Sequence, residues 1–396
     1  MTTSSSYDVI VFGATGFTGR LAALRLGNEP NLKLAIAGRN RAKLEEIALQ
    51  CKHKPHVLVA DAKDKNSVFA MVKQGRVIAN FAGPFALYGE NVIAACADYG
   101  VSYCDITGES PFIRTMIDRY QAKAIESGAC LIPMSGFDSV PADLVVFLAM
   151  NEAERHGWRL DEMKHYYQVG GGFNGGTLET ALNMAENKQT QAMQNDNLLV
   201  PDTNWAHGEK PVFTPTFEPL IKKWSTLFFM NFVNTAVVRR SLFLRIPGNP
   251  AIGKISYEER MLVPKGPGGK AKAYVITAAL GTVAAMTTNP IGRMLLRKLG
   301  PSAGEGPSEQ AIRDGYYRGT LIAKEDGRPR VMIKMKAKGD PGNEFTVLAA
   351  ATTALLLSEG KALMTGFVTP STGLGDALVQ GLEAKGVSFS SEYFES

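Results

Sequence analysis

The sequence is poor in the features that mark several protein classes. Only four Cys (Cys51, Cys96, Cys104, Cys130) occur in 396 residues. They form no C-x-x-C pair and no disulfide framework, which points to a reducing compartment. The first residues, Met1 to Asp8, lack a basic stretch followed by an apolar core, so a secretory signal is not expected. No run reaches the roughly 18 apolar residues of a membrane span. The nearest is Ala273 to Met286. Charge of one sign is also lacking: 43 Lys and Arg stand against 38 Asp and Glu, and a net +5 is too mild to argue for nucleic acid. Hydrophobic content of 45% and charged content of 20% exclude disorder, collagen and coiled coil.

What is present is length and glycine. A chain of 396 residues exceeds one compact core and implies two domains, or one domain with a large insertion. Forty Gly suit a turn-rich α/β protein. Asp8 to Phe12 is a β-branched and aromatic run that predicts a buried strand. Gly13-Ala-Thr15-Gly16-Phe17-Thr18-Gly19 follows at once, and Arg20 to Leu26 has helical composition. Strand, glycine turn and helix in this order form a dinucleotide phosphate site. Gly13 allows the turn, Gly16 lets the backbone approach a pyrophosphate, and Gly19 lets helix and strand pack closely. Free N–H groups of Thr15 to Gly19 would face the phosphates.

A second strand, Leu32 to Ala37, ends in Gly38-Arg39. An NAD site places Asp or Glu here for the ribose 2′-hydroxyl. Arg39 instead suits a 2′-phosphate, so NADP(H) is the expected cofactor. Further strands are expected at Val57–Asp61, Val77–Ala82, Val101–Asp105 and Ala129–Pro133, with helices between them. Alternation of this kind predicts a Rossmann-type doubly wound parallel sheet, whose ligands lie at the carboxyl ends of the strands. Those ends carry Asp61 at the adenine edge, and Asn80, Ala82 and Gly83 near the nicotinamide. They also carry Asp105 and Glu109 as candidate acid–base groups and Tyr88 as a candidate proton donor. For the two acids, helix capping is an even alternative. Asp138 and Asp143 bracket Pro141, and a capped helix at 141 to 150 is the simpler reading there.

Competing chemistries fail on residues. None of the twelve Tyr has Lys four residues on, as the short-chain dehydrogenases require. No G-x-S-x-G elbow serves a hydrolase. Cys51-Lys-His53-Lys-Pro-His56 looks like a metal tract but falls in a connection, and no metal is expected.

GATGFTG, AGR after the second strand, NFAGPF with YG, YCDITGE and GFDSVPAD together resemble the saccharopine dehydrogenase-like oxidoreductases, which include trans-acting enoyl reductases of lipid and polyketide assembly. The resemblance extends to Gly339-Asp-Pro-Gly342 and Thr369 to Ala377, and fades between about Lys188 and Lys265. It implies a dinucleotide domain over 1–140 and a second mixed α+β domain for substrate and dimerisation over 141–345. It also implies a C-terminal helical segment, 346–396, that returns to the first domain. The substrate would enter from the second domain. The expected activity is NADP(H)-dependent reduction of a C=C in an enoyl or lipid-type substrate. A C=N reductase of the saccharopine type and a non-catalytic NADPH-binding scaffold are the alternatives.

The second half adds three features. Gly170 to Thr177 is a glycine loop after a strand at Lys164–Val169. Strands at Tyr316–Lys324 and Arg330–Lys338 are joined by a turn at Glu325-Asp-Gly327. Ala273–Met286, flanked by a basic loop and by Arg293, Arg297 and Lys298, reads either as a membrane-surface contact or as a helix lining a channel or dimer face. The expected setting is cytoplasmic, with lipid-surface contact and a homodimer both left open.

Overall fold

A computed structural model describes residues 5–171, 182–187, 189–201, 204–247, 249–264, 266, 268–299 and 307–395. The glycine loop beyond Gly171 lies outside them. The chain divides into two compact units. The first holds the described residues up to Val140 together with Gly342–Lys385. The second holds those from Pro141 to Leu299, Pro307–Pro341 and from Gly386 on.

The first unit is built on a seven-stranded sheet. Strands β1 (Tyr7–Phe12), β2 (Leu34–Gly38), β3 (His56–Val59), β4 (Gly75–Asn80), β5 (Ser102–Asp105), β6 (Cys130–Ile132) and β13 (Gly366–Phe367) lie in the order β13-β6-β5-β4-β1-β2-β3. All pairings are parallel, with Val9 opposite Leu34 and Val77. Val9, Ile10, Val11, Ile36, Ile78 and Leu131 are fully buried, as strands covered on both faces require. The crossovers are α1 (Phe17–Leu26), α2 (Arg41–Gln50), α3 (Lys65–Val72), α4 (Phe85–Tyr88) with α5 (Glu90–Tyr99), and α6 (Ser110–Ser127). The helix Thr346–Ser358, apolar and buried along nearly its whole length, packs on α1 and on β1, β4 and β5.

The second unit carries another seven-stranded sheet: β7 (Glu162–Gly170), β8 (Thr216–Glu218), β9 (Lys223–Leu227), β10 (Ser256–Leu262), β11 (Tyr316–Glu325), β12 (Arg328–Lys338) and β14 (Ser388–Tyr393). Their order is β14-β12-β11-β7-β10-β9-β8. Only β7 and β10 run parallel. Asp326 (φ 49°) and Gly327 (φ 75°) make the β11–β12 hairpin turn. One face buries His165, Tyr167, Tyr317, Leu321, Ile333 and Met335. There the Glu259 carboxylate accepts from Tyr167 Oη (2.6 Å), Tyr257 Oη (2.7 Å) and Asn234 Nδ2 (2.9 Å), so a buried charge is fully hydrogen-bonded. The helix Asn231–Arg245 crosses this face, and buried Arg239 donates to the carbonyls of Ile255 and Gly253. α7 (Val140–His156) opens the unit.

The C-terminal segment needs one correction. Residues 346–385 do join the first unit, but β14 does not: Ser388 to Tyr393 pair with Lys336 to Val331 on the edge of the second sheet. Alternation in this polar run is weak, and the long β12 leaves an edge that a strand can complete.

Candidate active site at the carboxyl ends of the first sheet

The glycine turn folds as its spacing demands. Gly13 has φ 81°, and a Cβ there would come within 2.6 Å of the Ala82 nitrogen. A Cβ on Gly19 would strike the Gly13 carbonyl at 2.3 Å. These two glycines are fixed by packing. Gly16 is different. It is exposed, and its Cβ would meet only the Gly13 oxygen at 3.4 Å. Gly16 is the N-cap of α1 with no side-chain cap, and the first helix-type bond runs from Arg20 N–H to the Gly16 carbonyl. The N–H groups of Phe17, Thr18 and Gly19 therefore have no partner within the helix. An open, uncapped helix start beside exposed Thr15 and Gly16 fits a pyrophosphate.

Arg39 follows β2 and is exposed, and Thr15 Oγ1 lies 3.8 Å from where a Gly38 Cβ would stand. Thr15 and the Gly38-Arg39 step are thus adjacent, and the guanidinium has room for a 2′-phosphate. Asn40 next to it caps α2 by accepting the Lys43 N–H at 3.0 Å. Asp61 follows β3. Its Oδ1 accepts the Lys63 N–H at 3.0 Å, which shapes the turn before α3.

The ends of β4, β5 and β6 are tied by one buried chain of hydrogen bonds. Asn80 Oδ1 accepts the Ala82 N–H (3.0 Å), which sets the loop through Gly83 that faces Gly13. Asn80 Nδ2 donates to Tyr103 Oη (3.1 Å), and Tyr103 Oη donates to Asp105 Oδ2 (2.7 Å). Asp105 Oδ1 accepts from the N–H groups of Thr107 (3.0 Å) and Met134 (2.9 Å). Burial pushes the Asp105 carboxyl up to about 6, although its three donors pull the other way.

Glu109 stands at the N-cap of α6 but does not cap it. Its Oε1 and Oε2 accept the N–H groups of Phe85 (2.8 Å) and Ala86 (2.7 Å), the first residues of α4. The acid thus caps a different helix, 24 and 23 positions back. Burial raises its pKa as well. Tyr88, at the end of α4, is half-buried, with Lys63 Nζ 5.7 Å over its ring.

Asp138 follows Ser135-Gly-Phe137 at the end of β6. Its side chain is partly exposed and makes no hydrogen bond or ion pair with a described residue, while burial of its surroundings pushes its pKa up to about 6. Neighbouring groups are held: the Phe137 N–H donates to Thr346 Oγ1 (3.1 Å), and Gly136 lies against Ile106. Asp143, in contrast, is buried and accepts from Ser241 Oγ. The Cys51–His56 tract is occupied with packing: Cys51 Sγ donates to Ile47 O at 3.4 Å and the His56 ring lies against Tyr7.

Known proteins agree with this architecture. The model of the saccharopine dehydrogenase NADP-binding domain matches residues 9–132. A Mycobacterium tuberculosis protein provisionally named a trans-acting enoyl reductase is 31% identical over 420 residues, covering 98% of this chain and 97% of its own. A Mycobacterium leprae trans-acting enoyl reductase is 27% identical over 406 residues, covering 96% of each. Among solved structures, saccharopine dehydrogenase (L-Glu forming) from Saccharomyces cerevisiae superposes with a TM-score of 0.59 at 12% identity, over 98% of this chain and 99% of the other. The chain belongs to the saccharopine dehydrogenase-like family of NADP-dependent oxidoreductases.

Proposed function

We propose that this oxidoreductase reduces a conjugated C=C bond of an acyl substrate at the expense of NADPH. The observation that carries the reading is that similarity to proteins named enoyl reductases runs through nearly the whole chain, not through the dinucleotide turn alone. NADPH, when bound, supplies the hydride.

The chain's own residues do the rest. Thr15 to Gly19 hold the pyrophosphate through N–H groups, Arg39 holds the 2′-phosphate, and Asp61 borders the adenine end. Asn80, Ala82 and Gly83 form the wall beside the nicotinamide. Asp105 and Glu109 are positioning residues: each spends its carboxylate on backbone N–H groups that fix the loops after β4, β5 and β6. Hydride addition to one alkene carbon leaves an anion that needs a proton on the adjacent carbon. Asp138 is the group suited to give it, because its carboxyl makes no hydrogen bond or ion pair with a described residue and burial raises its pKa to about 6. Tyr88 is the second candidate.

The test is consumption of NADPH with an enoyl thioester and, separately, with an imine formed from an amino acid and an aldehyde. Turnover confined to the enoyl thioester supports the proposal. Turnover confined to the imine overturns it in favour of C=N reduction, and no turnover with either favours a binding scaffold.

A further inference from the structure

The second unit carries a helix pair that leaves most of its apolar side chains exposed. The helix Gly269–Thr287 rests its first turns on β9, with Lys270 Nζ 5.8 Å over the Trp224 ring. Ala273 is its one buried residue, and Tyr274, Val275 and Val283 are exposed. The chain then bends by 117° into the helix Pro290–Leu299. In that second helix Ile291 (69% exposed), Met294, Leu295 and Leu299 (80%) face outward. Arg293, 14% exposed, and the more exposed Arg297 pair with Glu186, at 3.4 and 2.8 Å. A surface helix ordinarily turns such an apolar stripe toward the core. A contiguous exposed apolar face of this kind marks an interaction surface.

Two observations select the occupant. The first is how the bend is sealed. Thr287 Oγ1 donates to Ala284 O, Thr288 Oγ1 and Asn289 Nδ2 donate to Ala285 O, and Arg293 donates to Thr287 O. The Gly292 N–H, at the start of the second helix, donates to Asn289 Oδ1. Thr282 Oγ1 likewise folds back on Ala278 O. The carbonyls of Ala284, Ala285 and Thr287 and the Gly292 N–H at the break are thus satisfied within the helix pair, which favours entry into a region poor in water. The second is charge. Between Glu259 and Glu305 the sequence has no Asp or Glu, while Lys270 and Lys272 stand at the start of the first helix and Arg297 and Lys298 at the end of the second. Cations therefore flank both ends of the helix pair, next to exposed apolar residues that run from Tyr274 and Val275 to Leu299, a combination suited to anionic headgroups and acyl chains together. The second helix, about 15 Å long, matches one leaflet of a hydrocarbon core of ~30 Å. No single helix among the described residues is long and apolar enough to cross a membrane. An interfacial wedge needs no crossing.

We infer that the hairpin 269–299 docks the protein on an anionic lipid surface. The inference is independent of the substrate proposed above. The experiment is flotation of the full chain with vesicles of phosphatidylcholine, with and without phosphatidylglycerol, comparing the parent with the double variant Ile291→Glu, Met294→Glu. Both side chains are exposed, so folding is preserved, and unchanged NADPH binding and melting check this. The expected result is flotation with the phosphatidylglycerol vesicles that falls with salt and drops by at least about tenfold in the variant. Absence of flotation, equal flotation of the variant, or equal flotation with neutral vesicles overturns the inference. So does a dimer in gel filtration that the double variant converts to monomer, since the face would then belong to a second copy.

Discussion

Asp105 Oδ1 accepts the backbone N–H of Met134 at 2.9 Å, and Met134 is held there with φ 60°. A non-glycine residue in the left-handed region carries strain that its surroundings must offset. Here the offset comes from a buried carboxylate that also receives Thr107 N–H and Tyr103 Oη. One acid thereby fixes the loop from which Asp138 extends.

Burial of this carboxyl sets a pH dependence. The Asp105 pKa rises from its ordinary value to about 6 in the folded protein. The folded state therefore holds the proton more tightly, and the contribution is greatest below the ordinary carboxylate range. It is lost as pH rises from about 4 to about 6, by up to about 3 kcal/mol. Asp105→Asn should remove that slope, whatever its effect at a single pH. Urea unfolding of both proteins at pH 4.5 and 7 measures it, and parallel slopes would contradict the assignment.

Glu109→Gln keeps one acceptor and places an amide NH2 against the second N–H of α4. A loss of about 1–3 kcal/mol should follow, seen as a lower melting temperature. If Glu109 were instead a proton donor, melting would be unchanged and turnover would collapse.

The glycine turn separates packing from binding. Gly16→Ala has room, so the variant should melt normally and lose NADPH affinity by tenfold or more on the order of a phosphate contact. Gly19→Ala drives a methyl into the Gly13 carbonyl, so it should lose stability first. Fluorescence titration beside thermal melts distinguishes the two.

Arg39→Ala should weaken NADPH by roughly ten- to a hundredfold, the worth of one charge-assisted contact of about 1.5–3 kcal/mol, and leave NADH nearly unchanged. Equal losses for both cofactors would remove Arg39 from the 2′-phosphate site.

Asp138→Asn should cut kcat far more than NADPH affinity. In the parent, kcat should fall as pH rises through about 6, and the variant should lose that limb. Retained turnover would pass the donor role to Tyr88.

The first sheet was legible because each strand is a short apolar run closed by Gly, Pro or a polar residue. The turn at Gly13–Gly19 was legible because strand and helix flank it directly. The two-residue β13 and the polar β14 left no such pattern, and both join sheets through pairings distant in sequence. The same distance hid the partners of Glu109 and Asp105. Their neighbourhood showed two carboxylates at a strand end, and only the folded chain brings Phe85, Ala86 and Met134 to them. The helix pair 269–299 was half visible: composition marked it as basic and apolar, but only the burial pattern shows how much of it is exposed.

The central claim is hydride transfer to carbon. NADPH deuterated at the transferring position of its nicotinamide, incubated with the enzyme and an enoyl thioester, tests it by mass spectrometry of the product. The account predicts a saturated acyl chain carrying one deuterium at the carbon β to the carbonyl, with one NADPH consumed per product. NADPH consumed with no deuterium in the acyl chain, or an unaltered enoyl thioester after prolonged incubation, would contradict it.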